Sequence, residues 1–185
     1  MSSCEHVTLM ARYNAWMNLR LYQAAARLSA AQLAADRKAF FGSILGTLNH
    51  LVVADIIWLK RFATLSPDHA ALDPVRRLPA PAGLDTILFT DFSRLFEHRK
   101  MLDGAIVDWA EALTETDLAQ VLHYANTKGV ESDQLFSSLV VHFFNHQTHH
   151  RGQVSTLLFQ AGVDVGVTDL LELIPQAGGR GVTAA

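Results

Sequence analysis

Residues 145–153, NHQTHHRGQ, put His146, His149 and His150 within five positions, between Phe143 and Phe144 on one side and Val154 and Leu157 on the other. On a helix, side chains four apart have Cβ atoms roughly 5 to 6 Å from each other, so the rings of His146 and His150 can converge on one ion. A wheel of about 100° per residue places Leu135, Leu139, Phe143, Val154, Leu157 and Ala161 in a sector from about −20° to +80° around His146. His150 falls inside that sector at about +40°, whereas His142 and His149 sit on its margin near −40° and −60°. A single inward histidine is ordinarily a hydrogen-bonded core residue. Two adjacent ones are desolvated together and repel once protonated, unless a cation lies between them. Three-residue spacing also converges, which makes His149 the rival of His150; the wheel favours His150.

A third imidazole comes from LGTLNHLVVADIIWL, where His50 lies in almost wholly apolar company. His50, His146 and His150 would form a tripod of neutral ligands from two packed helices, with at least one metal position open to water or substrate. Such a site keeps the full charge of the ion, lowers the pKa of a bound water or thiol, and so suits chemistry better than support of the fold. Three imidazoles accept nickel, zinc, copper, cobalt or iron. The His-Glu-x-x-His metalloprotease motif is excluded, because the second position is Gln147, which cannot act as a base. No general base is named by the sequence: Asp55 projects about 140° away from His50, and Asp91 and Glu97 have no fixed relation to it. Gln153 is a candidate partner for a ligand ring, and Asn14 for a structural hydrogen bond. His6, His69, His98 and His123 lack convergent company. Tyr13, Trp16, Trp58 and Trp109 suit core or interface packing.

The elements that must hold these residues follow from apolar periodicity. A first helix is predicted from about His6 to Leu28, with an extra turn capped by Ser29 in SAAQ. A second, from about Ser43 to Phe62, is apolar almost all round and is expected in the bundle core and at a subunit interface. Residues 65–83 hold four of the five prolines, Pro67, Pro74, Pro79 and Pro81, and read as a loop. A third helix is predicted from Leu84 to Leu113. LAQVLHYANTKGVES reads as a hairpin around NTKG. A fourth helix, capped by Ser132 or Asp133, runs to Ala161 and stops at Gly162. A short helix over Thr168 to Leu173 and a mobile tail QAGGRGVTAA complete the chain. The expectation is an all-α four-helix bundle with a small β-hairpin and a short C-terminal helix: one domain over residues 1–175 and a tail over 176–185.

Composition bounds the function. The chain has 185 residues, half of them apolar, and a net charge of −3 with no long basic run, so nucleic acid is not an expected ligand. Its one cysteine, Cys4, permits no intrachain disulfide and no thiolate metal site. The opening MSSCEHVTLMARYN shows no signal-peptide pattern and no apolar run reaches the roughly 20 residues of a membrane span. A reducing cytosol is the expected compartment.

At the same residues the sequence resembles the DinB family of metal-binding bundles, also grouped with the YfiT-like proteins. The resemblance rests on RYNAWMNLRL, FFGSILGTLNHLVVADIIWLKRF and HFFNHQTHHRGQVSTLL, followed by TDLLELI. It implies an up-down-down-up bundle, usually a homodimer, with a divalent ion, typically nickel or zinc, on one histidine of the second helix and a His-x-x-x-His pair of the fourth. Those positions are His50, His146 and His150. It also implies a metal-dependent transferase or isomerase that uses a low-molecular-weight thiol; the family name records induction by DNA damage. Three functions are therefore carried forward. They are a metal-dependent small-molecule transferase or hydrolase, a non-catalytic metal-binding stress protein, and a dimeric interaction protein whose histidines are only buried.

Overall fold

A computed structural model of the chain describes residues 1–65 and 69–175. Pro67 and the tail QAGGRGVTAA, expected to be mobile, lie outside the described residues. The first helix starts where two side chains satisfy each other's backbone. The Ser2 hydroxyl accepts from the Glu5 amide at 3.2 Å and the Glu5 carboxylate accepts from the Ser2 amide at 2.6 Å. This reciprocal cap begins α1 (Ser3–Ala25) three residues ahead of the expected His6. Ser29 and Gln32 form the expected capping box of α2 (Ala30–Ala34). α3 (Ile44–Leu65) follows, with the Ser43 hydroxyl accepting from the Gly46 amide at 2.9 Å. The proline-rich connection is more structured than a loop: it contains a 3-10 turn over Ala70–Leu72 and a one-turn helix, α4 (Asp73–Arg76). Pro74 stands in the first turn, where its missing N–H is not needed.

The third long helix, α5 (Phe92–Ala112), begins eight residues later than expected, at Asp91, whose carboxylate accepts from the Arg94 amide at 2.8 Å. The strip ahead of it is extended because α3 occupies its backbone. The Leu84 carbonyl accepts from His50, and the Asn49 side chain both accepts from the Phe89 amide at 2.9 Å and donates to the Phe89 carbonyl at 3.0 Å. After α6 (Glu115–Leu118), β1 (Val121–Ala125) and β2 (Glu131–Leu135) make the expected antiparallel hairpin. Asn126 closes its turn by accepting from the Lys128 and Val130 amides, and Gly129 takes φ +78°. Ser132 and Asp133 do not cap the fourth helix; they stay in β2, paired with Tyr124 and His123. α7 (Phe136–Gln160) grows directly out of that strand, its first amide donating to the Gln120 carbonyl at 2.8 Å. It ends as expected at Gly162, φ +79°. The short C-terminal helix is a 3-10 turn, Leu170–Leu173.

Side-chain contacts give the path of the bundle. Thr8 meets Ala110 while Tyr22 stacks on Phe96, so α1 and α5 are antiparallel. Asp55 pairs with Arg99 and Phe62 stacks on Trp109, so α3 and α5 are parallel. His50 faces His146 while Phe62 faces Phe136, so α3 and α7 are antiparallel. The order is up-down-down-up, with α1 against α5 and α7. Apart from parts of its last turns, α3 is buried on all sides within its own chain, which accounts for its all-round apolar character without a partner.

The core also contains a buried polar lattice fed by all four long helices. Arg99 lies between Asp55 and Asp103, at 2.5 and 3.0 Å. Asn18 donates to Asp103 at 2.8 Å, Gln147 to Asp55, and Arg151 to Asn14. These groups are dehydrated, so their mutual pairing is what makes burial tolerable.

Candidate metal centre

His50 sits two turns into α3, and its ring is held from two sides. Its Nδ1–H donates to the Leu84 carbonyl at 2.8 Å, which fixes the tautomer and leaves Nε2 with a free lone pair. Phe41 stacks on it at 3.8 Å and 17°. The loop before α3 can bring Phe41 so close only because residue 46 is glycine, since a Cβ there would overlap the Phe41 carbonyl oxygen. Across the bundle, the His150 Nδ1–H donates to the Gln153 side-chain oxygen at 2.8 Å, again leaving Nε2 free, and the Gln153 amide group donates to His149 at 3.1 Å. His146 Nε2 lies 3.2 Å from His50 Nε2.

The potential ligand atoms of His50, His146 and His150 all lie within 4.8 Å of one another. Burial holds His146 down to about 3, with the neighbouring His150, His50, His142 and His149 adding to it. Burial also lowers His50 and His150, against the opposing bonds to Leu84 and Gln153. All three rings are therefore neutral at pH 7 and offer lone pairs rather than protons. Two Nδ1–H donors fixed by oxygen partners are the arrangement that orients metal-bound imidazoles, so the donor set fits a divalent ion. The rings form the floor of a solvent-open cleft of about 540 Å³ whose rim carries Phe40, Asp85 and His149.

The family model for the DinB family matches residues 1–180. The chain belongs to the DinB family. Protein DinB of Bacillus subtilis (strain 168) is 25% identical over 164 residues, which span 85% of this chain and 87% of the relative. No solved structure matches.

In this DinB-family chain the residues singled out from sequence divide cleanly. His50, His146 and His150 come together and Gln153 bonds a ring of the group. His149 remains exposed outside it, and His142 packs edge-on against Trp58 at 5.1 Å. Asn14 belongs to the buried lattice, as does Asp55, so neither faces the cleft. Asp91 caps α5, and Glu97 pairs on the surface with Lys100. Sequence reasoning did not find Phe41, the Leu84 carbonyl or Asp85, the one carboxylate on the cleft wall among the described residues. The helical pattern drawn through Leu84 to Leu88 concealed the last two.

Proposed function

We propose that His50, His146 and His150 hold a divalent ion, nickel or zinc by resemblance to the family, and that the cleft above them is the active site of a small-molecule transferase or hydrolase. The observation that carries this reading is the convergence of three neutral imidazoles on the floor of an open cleft, where a closed structural site would have filled its positions with protein. A bound divalent ion would supply Lewis acidity and a lowered pKa for a thiol or water. The chain's own contribution is to fix the tautomers of His50 and His150, to line one wall with Phe40 and Phe41, and to place the Asp85 carboxylate on the cleft as a candidate base. A low-molecular-weight thiol is the co-substrate the family suggests. Under this reading the protein acts as a metal-dependent enzyme rather than as a passive stress-induced binder or a dimeric interaction module.

The test is elemental analysis of purified, untagged protein beside a His150→Ala variant of matched circular dichroism. The wild type should carry close to one divalent ion per chain and the variant little. Wild-type protein that takes up no ion after incubation with nickel or zinc would overturn the reading.

A further inference from the structure

The metal cleft does not end at its rim. Phe40, His149 and Gln153 also line a second, open pocket of about 500 Å³ that continues along the outer face of α7. Its far side is formed by Arg37 and Lys38, with Thr156 and Gln160 from the helix, and among the described residues no carboxylate lines it. In a chain of net charge −3, this shelf brings two cations together, with Asp36 beside Lys38. Among the described residues no carboxylate pairs with Arg37, whose guanidinium donates to the Gln32 carbonyl at 3.3 Å. Lys38 pairs with Asp36 at 2.6 Å, but that pair is exposed on both sides, and exposed pairs are weak and readily exchanged.

The backbone at Lys38 is also unusual. Lys38 has φ +56°, the one positive φ among the described non-glycine residues. Glycine or asparagine adopts that conformation with less strain, and a side chain of lysine's size is uncommon there. The Asp36 carboxylate holds that conformation by accepting from the Lys38 amide at 2.9 Å, so the loop sets where the Lys38 side chain leaves the backbone at the mouth of the candidate site. Between the two pockets stands Phe40, 88% exposed and edge-on to Phe41 at 4.8 Å. It offers an apolar bridge over which a hydrocarbon segment could lie.

We propose that the Arg37–Lys38 shelf is an anion subsite, and that the substrate is a small organic acid whose metal-binding group enters the histidine cleft while its carboxylate reaches the shelf across Phe40. This rests on the metal reading above and adds the substrate's charge and its two-point attachment.

The test uses cobalt(II)-loaded full-length protein, with ion content checked first. Mercaptoalkanoates of increasing chain length, from mercaptopropanoate to mercaptooctanoate, are titrated beside the mercaptoalcohols of equal length, and the thiolate-to-cobalt absorption is followed. At the best length the acid should bind about ten-fold more tightly than its alcohol, the gain expected of a charge-assisted contact. That preference should shrink with added salt and fall to near parity in an R37Q/K38Q variant. If the double variant does not fold, K38Q alone must reduce the preference, because Lys38 is exposed and holds only Asp36. Loaded wild-type protein that prefers the acid at no length overturns the subsite, as does an undiminished preference in the variants. Protein that takes up no cobalt overturns the tripod, and the two-point arrangement with it.

Discussion

Gln153 shows how a single side chain can govern the centre without belonging to the ligand group. Its oxygen receives the His150 Nδ1–H and its amide group donates to His149, so its orientation decides both the tautomer of His150 and the outward setting of His149. Substituting alanine removes that control and leaves the backbone of α7 intact. Gln153→Ala is therefore expected to keep the circular dichroism of the wild type and to lower affinity for zinc by about ten- to a hundred-fold, as for other partners of ligand histidines. Competition titration with a chromophoric chelator measures it; unchanged affinity would mean that His150 is held by packing alone. Gln147 is the contrasting case. It neighbours His146 in sequence but turns into the bundle to meet Asp55, so the glutamine that rules out a metalloprotease motif also helps to lock α7 to α3.

At the level of elements, the decisive piece is the extended strip from Leu84 to Phe89. Asn49 and His50 are consecutive on α3, and both bind this strip, the first through Phe89 and the second through Leu84. The strip thus carries the hydrogen-bond partner of one ring of the histidine cluster and the carboxylate of Asp85. Asn49→Ala would leave the Phe89 amide and carbonyl without their partner, a loss of about 1 kcal/mol for groups only partly shielded from water. Urea unfolding should report that loss, and hydrogen exchange should report faster labelling confined first to residues 84–89. Exchange unchanged in that strip would show that apolar packing, not Asn49, holds it. Local periodicity misread this segment because Ile87 and Leu88 fit the phase of α5, while the competing bonds come from a helix about forty residues away in sequence, where no local pattern can report them.

For the whole molecule, the buried lattice and the histidine centre pull stability in opposite directions with pH. Burial raises the Asp103 carboxyl to about 7, against the attraction of Arg99 and the bond from Asn18. In the folded chain it therefore holds a proton at a pH where the unfolded chain, with an ordinary value near 3.8, does not. This contribution grows as pH falls from about 7 to about 4 and is lost as pH rises through the folded value. His146 works the other way. Its folded value of about 3 lies below the ordinary 6.5, so its contribution is present above 6.5 and is lost as pH falls toward 3. In ion-free protein the two oppose each other over the shared range. Asp103→Asn removes only the first, so acidification from about pH 7 to about pH 5 should destabilise the variant more steeply than the wild type in urea unfolding. Equal slopes would show that the Asp103 carboxyl does not titrate in this range.

The sequence by itself determined the long helices, the hairpin, the cap at Ser29, the stop at Gly162 and the family. Each of these is written in local spacing: apolar residues at helical period, Asn and Gly at a turn, a serine three positions before a glutamine. It also identified the three histidines that come together, because imidazoles amid apolar neighbours are conspicuous. The buried face of α7 was only half legible. A wheel that assigns polar residues to the outside stops at Val154, yet Val140, Phe144 and Leu158 continue the apolar face around Gln147 and Arg151, which are buried. The histidines consequently stand at the edge of the packed face and not at its centre, which is why their cleft opens to solvent. Only the tertiary structure decided this, together with the tautomer of His50 and the pairing of Arg99. Each depends on partners from another helix or a distant connecting segment, and the free energy of a buried polar group is set by those partners, not by its neighbours in the chain.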